Sequence, residues 1–176
     1  GLGDVYKRQY QFLTNEDITI TPTNGVYNFS NVSIYEGTLI TFKYTVDTSD
    51  PDQKFIIPSE LADTTTLKVS VQNSSSDSTT SIYTKTTGLT SIDSTSKVYY
   101  LQENEDARYE VYFGDGVLGK AVEDGNIIIL EYIISNKDAA NGASSFALSG
   151  TIGGFSDVTI TTVSYTHLTL PTSVMV

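Results

Sequence analysis

No stretch of this chain sustains apolar residues at the 3.6-residue spacing of a helix, whereas alternation at period two recurs along most of its length. Leu39 to Val46 is the clearest early case. Leu39, Thr41, Lys43 and Thr45 fall on one face, and Ile40, Phe42, Tyr44 and Val46 on the other. Leu67, Val69 and Val71 alternate with Lys68 and Ser70, and Tyr109, Val111 and Phe113 share a face. Thr, Ser, Tyr, Val and Ile are abundant, residues that suit a pleated, half-buried surface. The fold class this predicts is mainly β: an antiparallel, sandwich-like sheet with glycine-rich hairpins and little helix.

Further strands are predicted at Ile18–Thr21, at Tyr27–Phe29 with Val32–Ile34, at Phe55–Ile57, around Ile82–Tyr83, at Val98–Gln102 and from near Phe146. Asn126 to Ser135 is the most apolar run and reads as a strand buried on both faces over Ile127 to Leu130. Ser59–Asp63 reads as a helical turn or tight loop, and the Ser/Thr/Asp-rich run Asn73–Thr80 as an exposed hairpin loop. No internal repeat is evident in the sequence.

The two ends read as translated adaptor DNA. Back-translating Asp4-Val-Tyr-Lys-Arg-Gln9 with one codon each gives GAT GTG TAT AAG AGA CAG. The reverse complement, read from its third base, encodes Val163-Ser-Tyr-Thr-His and opens the codon of Leu168. One DNA element read from opposite strands explains both ends, and it resembles the transposon end of sequencing libraries. Residues 1–9 and 163–176 are therefore set aside from fold reasoning and expected to contribute nothing to a compact core. The lone histidine, His167, and the lone methionine, Met175, go with them. Between the ends, the expected organisation is the end of a preceding β region over 10–37, a β domain over 38–143, and the start of a following segment over 144–162.

Function is constrained first by charge. With 21 acidic against 10 basic residues the formal net charge is −11. This argues against a nucleic-acid or anionic-membrane surface, where Lys and Arg must neutralise phosphates. There is no cysteine, hence no disulfide framework and no thiolate metal site. Without Cys, and with the one His in an adaptor end, a serine nucleophile lacks its usual base, so no catalytic residues and no enzymatic activity are expected. Glu103, Glu105, Asp106, Glu123 and Asp124 read as solvated turn residues. Asp47, Asp50 and Asp52 have oxygens a calcium ion would use, but lack the glycine and terminal Glu of an EF-hand loop; no metal is assigned. Asn28-Phe-Ser30, Asn31-Val-Ser33 and Asn73-Ser-Ser75 fit the glycosylation acceptor pattern, which arises by chance in so Ser- and Asn-rich a chain.

The most distinctive run is Tyr109-Glu-Val-Tyr-Phe-Gly-Asp-Gly-Val-Leu-Gly-Lys120, followed by Glu123-Asp-Gly-Asn126 and the apolar strand. Read from its residues, it is two antiparallel strands joined by a double turn. Gly114 and Gly116 allow positive φ, Asp115 bonds its own backbone, Gly119 allows a second bend, and Asp124-Gly125-Asn126 closes the return. Gly114 to Gly119 also spells the dinucleotide fingerprint G-x-G-x-x-G. That fingerprint needs a helix next, to hold pyrophosphate on its N-terminus. Here a short glycine-broken spacer and a strand follow, so no cofactor is expected.

The run Phe113 to Lys120, the acidic spacer, the strand and then Asn136-Lys-Asp-Ala-Ala-Asn141-Gly142 resemble the baseplate wedge proteins of T-even-type contractile-tailed phages, within the wider baseplate J-like family. Tyr10–Thr14, Ser33–Gly37, Tyr44–Asp47 and Val98–Leu101 resemble the same proteins, in the same order. The resemblance implies a virion structural component without catalytic, cofactor or metal residues, a piece of a longer protein. Phe113, Gly114, Asp115, Gly116, Gly119, Gly125, Asn126, Asn141 and Gly142 would be its structural motif. Its implied partners are other wedge subunits and itself, with no nucleic acid and no membrane. It would sit in the tail baseplate, assembled in the host cytoplasm, with the turns Asn73–Thr80 and Asn136–Gly142 making contacts. The competing reading from the residues is a β domain of a surface adhesin or tail fibre.

Overall fold

In a computed structural model of the chain, the described residues are 9–88, 91–136, 140, 143 and 145–160. They form nine strands: β1 (Phe12–Leu13), β2 (Tyr35–Glu36), β3 (Thr38–Thr45), β4 (Phe55–Ile56), β5 (Ala62–Gln72), β6 (Thr80–Lys85), β7 (Val98–Glu103), β8 (Tyr109–Phe113) and β9 (Ile127–Ile134). β1 and β2 make a small antiparallel pair. The other seven form one sheet in the order β3-β9-β5-β6-β7-β8-β4, every pairing antiparallel except the short parallel match of β6 with β7.

That sheet curls until its edges meet, so burial between two faces comes from one sheet folded on itself rather than from two stacked layers. The Tyr44 hydroxyl on β3 donates to the Ile56 carbonyl on β4 at 2.7 Å. Ring contacts run Phe42–Tyr44–Phe55–Phe113–Tyr83, all edge-on with centroids 5.0–5.8 Å apart. Edge-to-face aromatic pairs add to area burial, and here they bridge the seam that no backbone ladder closes. Inside lie Ile57, Leu67, Val69, Val71, Tyr83, Tyr99, Val111, Ile128, Leu130 and Tyr132, all buried. Burial pushes the hydroxyl pKa of Tyr83, Tyr99 and Tyr132 up, which keeps these phenols neutral.

β9 is central, between β3 and β5, which accounts for its apolar sequence. The expectation of burial on both faces over Ile127–Leu130 holds for one face only. Ile128 and Leu130 are fully buried, whereas Ile127 and Ile129 are half-buried, flanked on the outer face by Thr45 and Gln72, and by Lys43 and Ser70.

β5 begins earlier than the sequence indicates, at Ala62, because its register slips between Asp63 and Lys68 and hides the alternation there. Thr66 makes this irregularity possible. Its hydroxyl donates to the Asp63 carbonyl at 2.7 Å and accepts the Ile133 N–H at 2.9 Å, replacing a ladder bond the bulged backbone cannot supply. Thr66 is 1% exposed, so no water can substitute. Thr66→Val keeps the shape and orphans the Ile133 N–H; it is expected to cost about 1–3 kcal/mol in denaturant unfolding, while Thr66→Ser loses far less.

Segments 18–21, 27–34 and 145–149 carry no strand, contrary to the alternation read there. Two of the irregular segments share a device. Asn24-Gly25 and Gly153-Gly154 are pairs of positive-φ residues closing the bridges Thr23↔Val26 and Ile152↔Phe155. Phe29-Ser-Asn-Val-Ser-Ile34 and Phe155-Ser-Asp-Val-Thr-Ile160 follow them, a recurrence that the differing spacing from each turn obscures in the sequence. By compactness the chain divides into residues 1–135 and 136–176.

Candidate functional site

The distinctive glycine run is not a hairpin. In the sheet, β5, β6 and β7 lie between β8 and β9, so the strands on either side of the run do not pair. Residues 114–126 instead form a strap across one end of the curled sheet. The strand directions place the β3–β4 and β5–β6 loops, and the part of the β6–β7 connection that enters β7, at that same end, and the strap is bonded to all three.

At its start, Gly114 and Gly119 touch. A Cβ on Gly114 would lie 2.2 Å from the Gly119 carbonyl carbon, so only glycine fits. Between them, the Asp115 carboxylate accepts the N–H groups of Val117 and Leu118 at 2.9 and 2.8 Å, and Gly116 N–H donates to the Gly119 carbonyl. Bonds from Leu118 and Val117 hold the Asp115 carboxyl below its ordinary pKa. Gly119, at φ +95°, donates to the Asp93 carbonyl, and Lys120 N–H donates to the Ser96 carbonyl at 2.8 Å. The strap is thereby fixed to the β6–β7 loop. Val122 then turns inward against the core.

The closing turn binds the other two loops. Asn126 accepts the Val46 N–H through its carbonyl, Gly125 N–H donates to the Val46 carbonyl, and Thr48 N–H donates to the Asp124 carboxylate at 3.0 Å. The Asn126 side chain accepts the Glu123 N–H and donates to the Asn73 carbonyl at 2.9 Å. Of the residues singled out from the sequence, Gly114, Asp115, Gly116, Gly119, Gly125 and Asn126 belong to this one element, and Phe113 is the last residue of β8 leading into it. Asn141 and Gly142 lie outside the described residues, as do residues 1–8, 137–139 and 161–176.

Two of the carboxylates weighed as calcium ligands are engaged in turns, and Glu103, expected in a turn, ends β7. Asp47 accepts the Ser49 hydroxyl and N–H, and Asp50 accepts the Asp52 N–H. Among the described residues, no three His, Cys, Asp or Glu side chains are placed to hold a metal ion. A surface hollow of about 230 Å³ is lined by Thr14, Asn15, Ile18, Asn31 and their neighbours, with no nucleophile–base pair in that lining. None of the described helical residues forms a helix long and apolar enough to cross a membrane.

The expected hairpin loop Asn73–Thr80 joins the antiparallel pair β5 and β6, its last residue, Thr80, already paired with Gln72 in β6. Asp77 organises it, accepting the Asn73 side-chain amide at 2.7 Å and the Thr79 N–H at 2.9 Å. The Asn73 bond, followed by those from Thr79, pulls the Asp77 pKa from its ordinary 3.8 to about 2. A carboxylate with a depressed folded pKa stabilises the fold above its unfolded pKa, and that contribution disappears as pH falls through the folded value. The loop is therefore expected to loosen between about pH 4 and pH 2. An NMR titration should place the Asp77 midpoint near the low end, and Asn73→Ala should move it upward.

What the fold and the strap define is a rigid β module whose distinctive residues make turns and hold loops together. Residues 41–143 match the family model described as the third domain of the bacteriophage baseplate wedge protein gp6. The chain belongs to that family, whose members are structural components of the phage virion. It is also similar to baseplate wedge protein gp6 of Enterobacteria phage T4, 26% identical over 173 aligned residues, 89% of this chain. It spans about a quarter of that relative's length. The matched span contains the whole seven-stranded sheet except the first residues of β3.

Proposed function

We propose that this chain serves as a structural piece of a tail baseplate wedge, acting through contacts with other wedge subunits and with further copies of itself rather than through chemistry. The observation that carries this reading is the family match, which covers the strap and nearly the entire curled sheet. The side chains agree with it: the strap's Gly114 and Gly119 are fixed by close backbone contact, and the Asp115 and Asp124 carboxylates accept backbone N–H groups. A baseplate must hold a ring of subunits and then rearrange when the tail contracts, which calls for specific interfaces on rigid modules. The loops Asn73–Thr80 and Asn136–Gly142 are the proposed contact regions, the assembled protein residing in the virion tail after assembly in the host cytoplasm. The charge of −11 supports a protein partner over nucleic acid or an anionic membrane.

The test is to express the full-length protein with its genomic neighbours and purify through one tagged subunit. A stable complex containing other tail proteins is expected. A protein that stays monomeric with every neighbour and turns over a substrate overturns the reading.

A further inference from the structure

One short element occurs twice. Ile18-Thr-Ile-Thr-Pro-Thr-Asn-Gly-Val26, followed by Phe29-Ser-Asn-Val-Ser-Ile34, aligns with Phe146-Ala-Leu-Ser-Gly-Thr-Ile-Gly-Gly154, followed by Phe155-Ser-Asp-Val-Thr-Ile160. Tyr27 and Asn28 alone lack a counterpart. Six of the fifteen aligned positions are identical: Thr23/Thr151, Gly25/Gly153, Phe29/Phe155, Ser30/Ser156, Val32/Val158 and Ile34/Ile160. Ile20/Leu148, Thr21/Ser149, Asn31/Asp157 and Ser33/Thr159 keep the chemistry. A two-residue turn at positive φ is common, so the turns by themselves decide nothing. What decides is that turn and run recur in the same order and with the same geometry. Thr23 and Val26 exchange both backbone hydrogen bonds, at 2.9 and 3.0 Å, and Ile152 and Phe155 exchange theirs at 3.0 Å. Loss of two residues moves the second turn one place along, yet its central residues, at φ +57° and +88°, match the first pair at +53° and +76°. Val32 and Val158 are both half-buried between exposed neighbours.

The first copy has a definite place. It runs straight into β2, which pairs with β1, and the Gly37 N–H donates to the Gln11 carbonyl at 2.9 Å. Gly37 leaves no room for a side chain, since a Cβ would lie 2.3 Å from the Ile134 carbonyl oxygen, and Thr38 opens β3 directly opposite Ile134. The element thus delivers the chain to the first strand of the seven-stranded sheet. The second copy comes after β9, so one whole sheet lies between the two along the chain. We infer that residues 146–160 are the entry element of a second β module, built on the same plan as the first, whose opening strands the adaptor-derived residues 163–176 replace in this chain. Self-similarity at a spacing of one structural unit marks tandem repetition. The inference is independent of the baseplate reading, because it assigns an architecture to the natural chain and not a partner.

Two measurements on the natural full-length protein test this. In hydrogen exchange, the roughly ten residues after Ile160 are expected to be protected at least about 100-fold, as a short strand, a glycine and a longer strand, the order found after Ile34. In the second, residues 151–160 are transplanted in place of residues 23–34. The exchange is expected to leave the melting temperature within about 2 °C of wild type and the Gly37 amide protected, because it supplies the same turn and the same apolar run. The same ten residues in scrambled order are the control, and they should expose Gly37. Unprotected residues beyond Ile160 overturn the inference, and so does a transplant that behaves no differently from the scrambled one.

Discussion

Leu130→Ala is expected to lower the unfolding free energy by about 2–5 kcal/mol. Leu130 has no exposed surface and sits on the central strand, opposite Phe42 on one side and Val69 on the other. Both neighbouring strands are hydrogen-bonded in register there, so the backbone cannot collapse into the space left behind. Urea unfolding followed by circular dichroism measures the loss. Ile82→Ala is the control: at 77% exposure it should stay within about 0.5 kcal/mol of wild type. A Leu130→Ala effect as small as the control's would mean that β9 is not the centre of the core.

Gly114→Ala is expected to cost roughly 3 kcal/mol, at the upper end for overpacking. The reason is closeness rather than backbone conformation. Every atom the new methyl would meet within 2.5 Å belongs to the Gly119 backbone, which is itself bonded to Asp93, so nothing soft can yield. Gly125→Ala makes the comparison sharp. There the φ is +77° but no atom lies within 4 Å, so only conformational strain applies, about 1 kcal/mol. Thermal melts of the two variants should rank Gly114→Ala well below Gly125→Ala. The reverse order would remove the argument that the strap's neck is what makes this glycine necessary.

The strands with clean alternation were legible without coordinates, because period-two patterning reports directly on a half-buried pleat. Leu39–Val46 became β3, Val98–Gln102 became β7 and Arg108–Phe113 became β8, each within a residue or so. Alternation misled where no core face received the apolar side chains or where the register slipped. Ile18–Thr21 alternates yet forms no strand, and the start of β5 was hidden because Thr66 stands in for the ladder. The largest error was topological. Adjacent strands joined by glycine-rich turns ordinarily pair, and nothing local in Phe113–Asn126 reveals that three other strands come between β8 and β9. Thirteen residues of connection and an inward-facing Val122 were the available signals of a crossing. The turn chemistry was legible all the same: Asp115 capping its own loop and Gly119 at positive φ are local demands that residue type expresses directly. Which loops the strap ties together depends on long-range contacts, such as Asn126 with Asn73, that spacing along the chain cannot encode.

If the proposed role holds, this curled sheet is a fixed part of a phage baseplate. Cross-linking mass spectrometry on purified, uncontracted virions carrying the full-length protein tests it most directly. Peptides from residues 41–143 are expected in the tail fraction, with Lys120 on the strap or Lys97 beside it cross-linked to another baseplate subunit. Recovery of the protein only from the soluble lysate, with no peptide of this region in the tails, would contradict it.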